Sequence, residues 1–206
     1  MNARVVTVVA AVVAAAAGLA VGLLLAGGLL RAPVPAEGSA DVGFARDMQA
    51  HHAQAVEMAV LVRDRSTDPE LRQVALDIEL SQQQQQGQMF GWLAVWGRGQ
   101  YSAEAPMAWA GDHGHGGDDG STGTGATLMP GMATPAQLAR LRAADGVEAE
   151  RLFLELMIAH HQGGVAMAQA ALERAEHPAV LRLAQAVVDS QTAEITVLQA
   201  LLARNG

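Results

Sequence analysis

Apolar positions along the chain fall into two regimes. From Val5 to Leu30 they form one continuous run, with Thr7 its only polar side chain and Arg4 and Arg31 at its ends. From Asp41 onward they recur every three or four residues, the period of helices that bury a single stripe. As a helix rising ~1.5 Å per residue, the first run exceeds the ~30 Å hydrocarbon thickness of a bilayer. It is also longer than the ~7–15 residues of a usual signal-peptide core, which favours a retained anchor, although small residues over 32–40 also suit signal cleavage. Residues 1–31 are therefore expected to be an N-terminal transmembrane anchor or signal segment. Its four-residue tail is most simply left in the cytoplasm, which places everything from residue 32 outside. Pro33, Pro35, Gly38 and Ser39 mark 32–40 as an extended linker.

Within 41–206 the pattern predicts a helix over about Asp41 to Asp64. Asp68-Pro69, an N-cap followed by proline at the first helical position, then starts a second helix running to about Trp96. Periodicity disappears across 97–133, a glycine- and histidine-rich loop ending in Met129-Pro-Gly-Met132. Thr134-Pro135-Ala-Gln137 reads as a capping box opening a short helix to about Ala144. A long helix over about Val147 to Glu176 follows, and Pro178 starts a last one reaching about Ala203.

The first and third long helices carry the same text. Asp41, Phe44, Met48, His51, His52 and Met58 reappear as Glu150, Phe153, Met157, His160, His161 and Met167, each displaced by the offset that separates His51 from His160. On a helical wheel both sets fall on the inward arc, joined by Ala55, Ala59 and Val62 in the first copy and by Gly164 and Ala168 in the second. The partner helices repeat too: Val187, Gln191, Glu194, Leu198 and Leu201 stand where Ile78, Gln82, Gln85, Met89 and Trp92 stand in the first hairpin. Two hairpins with one apolar stripe per helix predict an all-α fold, a four-helix bundle with pseudo-twofold symmetry. The 97–133 segment is long enough for a ferritin-like crossover, and up-down-up-down is equally compatible with it.

Composition narrows the chemistry. There is no cysteine, which excludes disulfides, thiolate zinc sites and iron–sulfur clusters. A net charge of -8 leaves no electrostatic footprint for nucleic acid. Adjacent histidines on a buried face are costly unless their ring nitrogens find partners. Repeated with flanking methionines, they read as a metal site. Thioether suits Cu(I) and imidazole suits Cu(I), Cu(II) and Zn, so the set Met48, His51, His52, Met58, Met157, His160, His161 and Met167 points to copper, Cu(I) before Cu(II). The alternative is a metal-free interaction bundle whose histidines are core hydrogen-bonding groups. Neither His pair has a Glu three residues ahead, as a di-iron bundle requires, so a ferritin-like oxidoreductase stands well behind both and no enzyme activity is expected. Glu194 could orient a histidine ring from behind, whereas its counterpart Gln85 is not an acid. Asp41 and Glu150 could cap their own helices or support the metal. His113 and His115 in the loop, with Met129 and Met132 around a Pro-Gly turn, form a candidate secondary site. The expected partners are thus a metal ion and, through the N-terminal helix, a membrane; no protein partner is legible.

The acid-x-x-Phe-x-x-x-Met-x-x-His-His pattern at Asp41 to His52 and Glu150 to His161 resembles the bacterial, mostly exported family known as domain of unknown function 305. Met129-Pro-Gly-Met132 and the spacing of Gln82, Met89, Trp92 and Leu93 extend the resemblance over about 41–203. It implies a ferritin-like bundle and, because some members are described as copper-binding envelope proteins, copper handling outside the cytoplasm. Gln85 stands where the pattern commonly has Glu, and Glu150 replaces an Asp. Leu198 and Leu201 stand where the first hairpin has Met89 and Trp92.

Overall fold

The computed structural model describes residues 2–29, 33–114 and 129–204 and divides into two units, Met1–Val34 and Pro35–Gly206. The first contains α1 (Ala3–Leu29), whose segment Val5–Leu23 has a mean hydropathy of 2.5 and is long and apolar enough to cross a membrane. The second contains α2 (Ala40–Arg65), α3 (Pro69–Val95), α4 (Pro135–Ala143), α5 (Gly146–Arg174) and α6 (Pro178–Arg204). All described regular structure is helical.

Local chemistry sets the helix limits. Ser39 caps α2 by accepting from the Val42 N–H. Asp68 caps α3 through the N–H groups of Glu70 and Leu71, with Pro69 at the first position. Thr134 and Gln137 form the reciprocal capping box of α4. At the repeat position of Asp68, His177 takes over its task, accepting from the Ala179 N–H at Nδ1.

α2 packs on α3 and α5 packs on α6; α2 and α5 then pair across the pseudo-twofold axis. That central pair is antiparallel. Ser66, just past the end of α2, donates to Glu150 at 2.6 Å near the start of α5. At the opposite end, Asp41 in the first turn of α2 accepts from the backbone N–H groups of Glu176 and His177, past the end of α5. The outer helices follow suit, with Trp96 against His177 at one end and Arg204 bonded to Glu70 at the other. α3 therefore finishes at one end of the bundle while α5 begins at the other. Of the two connections compatible with the sequence, the chain uses the crossover along the bundle's length.

Asp41 and Glu150, expected at their own helix termini or near the metal, thus each close the turn of the opposite hairpin. They lie ten residues, about 15 Å of helix, from the respective His pairs. Burying Asp41 is tolerated because three amide contacts replace its water. The Asp41→Ala variant leaves the Glu176 and His177 N–H groups without that acceptor, and a loss of about 2 kcal/mol in urea unfolding at neutral pH is expected, with native helicity retained.

Candidate metal centre

Every member of the inward arcs read from the repeat is buried: Asp41, Phe44, Met48, His51, His52, Ala55, Met58, Ala59 and Val62 on α2, and Glu150, Phe153, Met157, His160, His161, Gly164, Met167 and Ala168 on α5. The apolar core forms two clusters. One collects Phe44, Met48, Met89, Met107, Met129 and Met167, with Met132 packed against it. The other collects Met58, Val62, Ile78, Phe153, Met157 and Leu198. In each helix the His pair lies between a methionine of one cluster and a methionine of the other. Antiparallel pairing therefore brings four imidazoles into one layer between two thioether-bearing clusters.

At the centre of that layer the rings of His51 and His160 face each other, centroids 3.8 Å apart and 33° from parallel. Within each pair the rings are 6.4 Å apart. All four side chains have zero exposure. Three have their Nε2 tied to an oxygen: His51 to the Pro130 carbonyl at 3.0 Å, His52 to Gln85 Oε1 at 2.6 Å and His161 to Glu194 Oε2 at 2.6 Å. Each of these oxygens accepts, so Nε2 must carry the proton. The lone pair of a neutral ring is then left on Nδ1, and the Nδ1 atoms of His51, His52 and His161 are buried without a partner. Neither nitrogen of His160 has a hydrogen-bond partner; the neighbouring His51 backbone eases its protonation without forming a well-directed bond.

Such orphaned nitrogens each cost roughly 1–3 kcal/mol and call for an occupant. A metal ion fits this arrangement: neutral imidazoles whose other nitrogen is held by an oxygen are the usual preparation of a metal-ligating histidine. Among the described residues no group of three or more His, Asp or Glu side chains, the four histidines of this layer included, is gathered so as to hold a metal ion by itself. The additional donors nearest in sequence to the His pairs are the methionines of the two flanking clusters, and thioether sulfur suits a soft ion. Electrostatics agree. Burial, and then the adjacent imidazoles, hold His52 at about 3; burial lowers His51 to about 4 against the pull of its Pro130 bond, and burial with the neighbouring rings puts His160 well below its ordinary value. These rings stay unprotonated at neutral pH.

The crossing segment completes the centre. Gly131, at φ 75°, turns the Met129–Met132 stretch so that the Pro130 carbonyl reaches His51 while Met129 enters the core. Gln54 grips Ala133 through both backbone groups, at 2.6 and 3.0 Å. The repeat position of Gln54 is Gly163, where a Cβ would overlap the Pro130 carbonyl. One half of the repeat thus holds the segment and the other makes room for it. Farther along, Asp47 accepts from Met107 N–H and Trp109 Nε1, both at 2.8 Å, fixing Met107 at a left-handed φ of 66° and setting Trp109 edge-on to Phe44. Burial raises the Asp47 pKa. The contribution of Met107 to the sulfur-rich cluster had no signal in a segment without periodicity. His115 lies outside the described residues, and only the backbone of His113 is described.

The fold and the centre define a class: a bundle of two repeated hairpins with a buried imidazole layer flanked by thioethers. The chain belongs to the family called domain of unknown function (DUF305), whose profile matches residues 41–202. It is similar to a predicted secreted DUF305 protein from Streptomyces coelicolor, 44% identical, covering 83% of this chain and 96% of that one with a TM-score of 0.74. A DUF305 fragment from Deinococcus radiodurans is 37% identical, covering 80% and 96%, TM-score 0.65. CopM in its Cu(II)-bound form is 26% identical, covering 80% and 96%, TM-score 0.60; CopM is also known in Cu(I)-bound, silver-bound and apo forms. No match was found among curated proteins.

Two outcomes follow from this geometry. The lowered imidazole pKa values mean that, below about 6.5, the unfolded chain takes up protons that the folded one refuses. The metal-free protein should be at full stability above pH 6.5 and lose several kcal/mol between pH 6.5 and 4, read as a falling urea midpoint; a flat midpoint would contradict burial of neutral rings. Gly163→Ala should push the Pro130 carbonyl off His51 and cost about 1–3 kcal/mol, whereas alanine at the unobstructed Gly87 of α3 should not destabilise.

Proposed function

We propose that this is a non-enzymatic copper-binding protein that sequesters or hands on the metal outside the cytoplasm. The observation that carries this reading is the set of unpartnered Nδ1 atoms on buried histidines whose Nε2 atoms are already engaged. His51, His52, His160 and His161 supply imidazole, Met48 and Met167 supply sulfur on one side of the layer, and Met58 and Met157 supply it on the other. Met129 and Met132, packed with the first sulfur cluster, extend that supply. A thioether and neutral-imidazole set without thiolate favours Cu(I), and the donor nitrogens also accept Cu(II). The structural likeness to CopM in its Cu(II)-bound form supports copper as the metal. The chain's negative charge argues against nucleic acid as a partner.

The length of α1 supports a single-pass anchor with the bundle on the outer side, in preference to a cleaved signal. Either route exports the bundle, which accords with the description of the Streptomyces relative.

Cu(I) titration of the full-length protein in mild detergent, against a chromophoric chelator, tests the reading. The parent should compete for the ion, and the His51, His52, His160, His161→Ala variant, still helical by circular dichroism, should lose that competition by at least about 100-fold. Equal competition by parent and variant, or a folded parent that does not compete, would assign the layer to packing alone.

A further inference from the structure

The two halves of the centre match in geometry and differ in charge. His52 and His161 occupy equivalent places in the repeat, each with zero exposure and each with Nε2 2.6 Å from a side-chain oxygen on the partner helix. In the first hairpin that oxygen is the amide of Gln85; in the second it is the carboxylate of Glu194. Among the described residues, Glu194 is hydrogen-bonded to His161 and forms no salt bridge with an arginine. Glu194 keeps about a quarter of its side chain exposed.

A carboxylate behind an imidazole does two things that an amide dipole does not. It draws the Nε2 proton toward itself and makes the lone pair on Nδ1 a stronger, harder donor. It also places a full negative charge one ring away from an ion bound at Nδ1, and its attraction for a doubly charged ion is twice that for a singly charged one at the same distance. Both effects favour Cu(II) over Cu(I). We propose that the two halves are unequal copper sites: Glu194 makes the His160/His161 half prefer Cu(II), and Gln85 leaves the His51/His52 half to Cu(I). This rests on the copper reading above. Glu194 is a positioning and charge-setting residue, acting through His161 without touching the metal.

The test compares the Cu(II) and Cu(I) dissociation constants of full-length protein carrying His113→Ala and His115→Ala, which removes the loop imidazoles as competing Cu(II) donors. Glu194→Gln should weaken Cu(II) binding about 10–100-fold and change Cu(I) binding less than about 3-fold. Gln85→Glu, a near-isosteric change in the other half, should strengthen Cu(II) binding about 10-fold with a similarly small effect on Cu(I). A Cu(II) to Cu(I) affinity ratio unchanged in both variants, or an equal loss for both ions in Glu194→Gln, would overturn the proposal and leave copper binding intact. Loss of fold in both variants would overturn it as well, by showing that packing dictates the acid and the amide. A parent that binds neither ion fails at the earlier reading instead, so the two failures are distinguishable.

Discussion

The bundle depends on what happens where α2 and α5 cross. At that point His51 and His160 are pressed face to face at 3.8 Å, shut off from the surface and with few hydrogen-bonding groups to satisfy them. A pair of leucines there would pack without penalty. The antiparallel pairing of two copies of one helix forces equivalent residues together near the axis, and the repeat makes those residues histidine. The rest of the molecule counteracts the resulting cost. Gln85 and Glu194 tie back two of the outer nitrogens, Pro130 ties back a third, and the methionine-bearing clusters above and below cover the layer. Polar atoms concentrated in a buried layer and left unpaired are costly, and each such group calls for an explanation.

A single crossing segment cannot obey a twofold axis, and the chain breaks its own repeat to receive it. Gln54 and Gly163 are equivalent positions with opposite jobs, one clasping Ala133 and the other clearing space for Pro130. Gly43 and Leu152 form a second such pair: the glycine lies under the Trp109 ring, where any Cβ would collide, while the leucine fills the corresponding space in the other half. The same asymmetry delivers sulfur unevenly, because Met107, Met129 and Met132 all join the end that holds Met48 and Met167.

Without cysteine, the only soft donors in the chain are thioethers, and methionine binds weakly enough to release an ion as well as hold it. Neutral, desolvated imidazoles contribute donors that need not lose a proton on binding at neutral pH. On the proposed copper reading, a centre of this composition suits metal in transit or in storage, and a chain without thiols needs no reducing compartment to protect them.

The sequence alone determined which helices form and which faces they bury. Proline, capping residues and the three-to-four periodicity placed the helix ends within a residue or two, and the repeat of acid, Phe, Met and His-His marked the inward arcs of α2 and α5 residue by residue. Those signals are local, so they survive without the fold. What tertiary structure decided was everything that depends on pairing between distant segments. Asp41 and Glu150 look like helix-start residues until the antiparallel arrangement carries each to the other hairpin's turn. The crossover, the meeting of His51 with His160, the reach of Pro130 into the layer and the burial of Met107 follow from how helices cross and where an aperiodic segment lands. No spacing along the chain encodes these relations, because they arise only when two stretches about a hundred residues apart compete to bury the same surface.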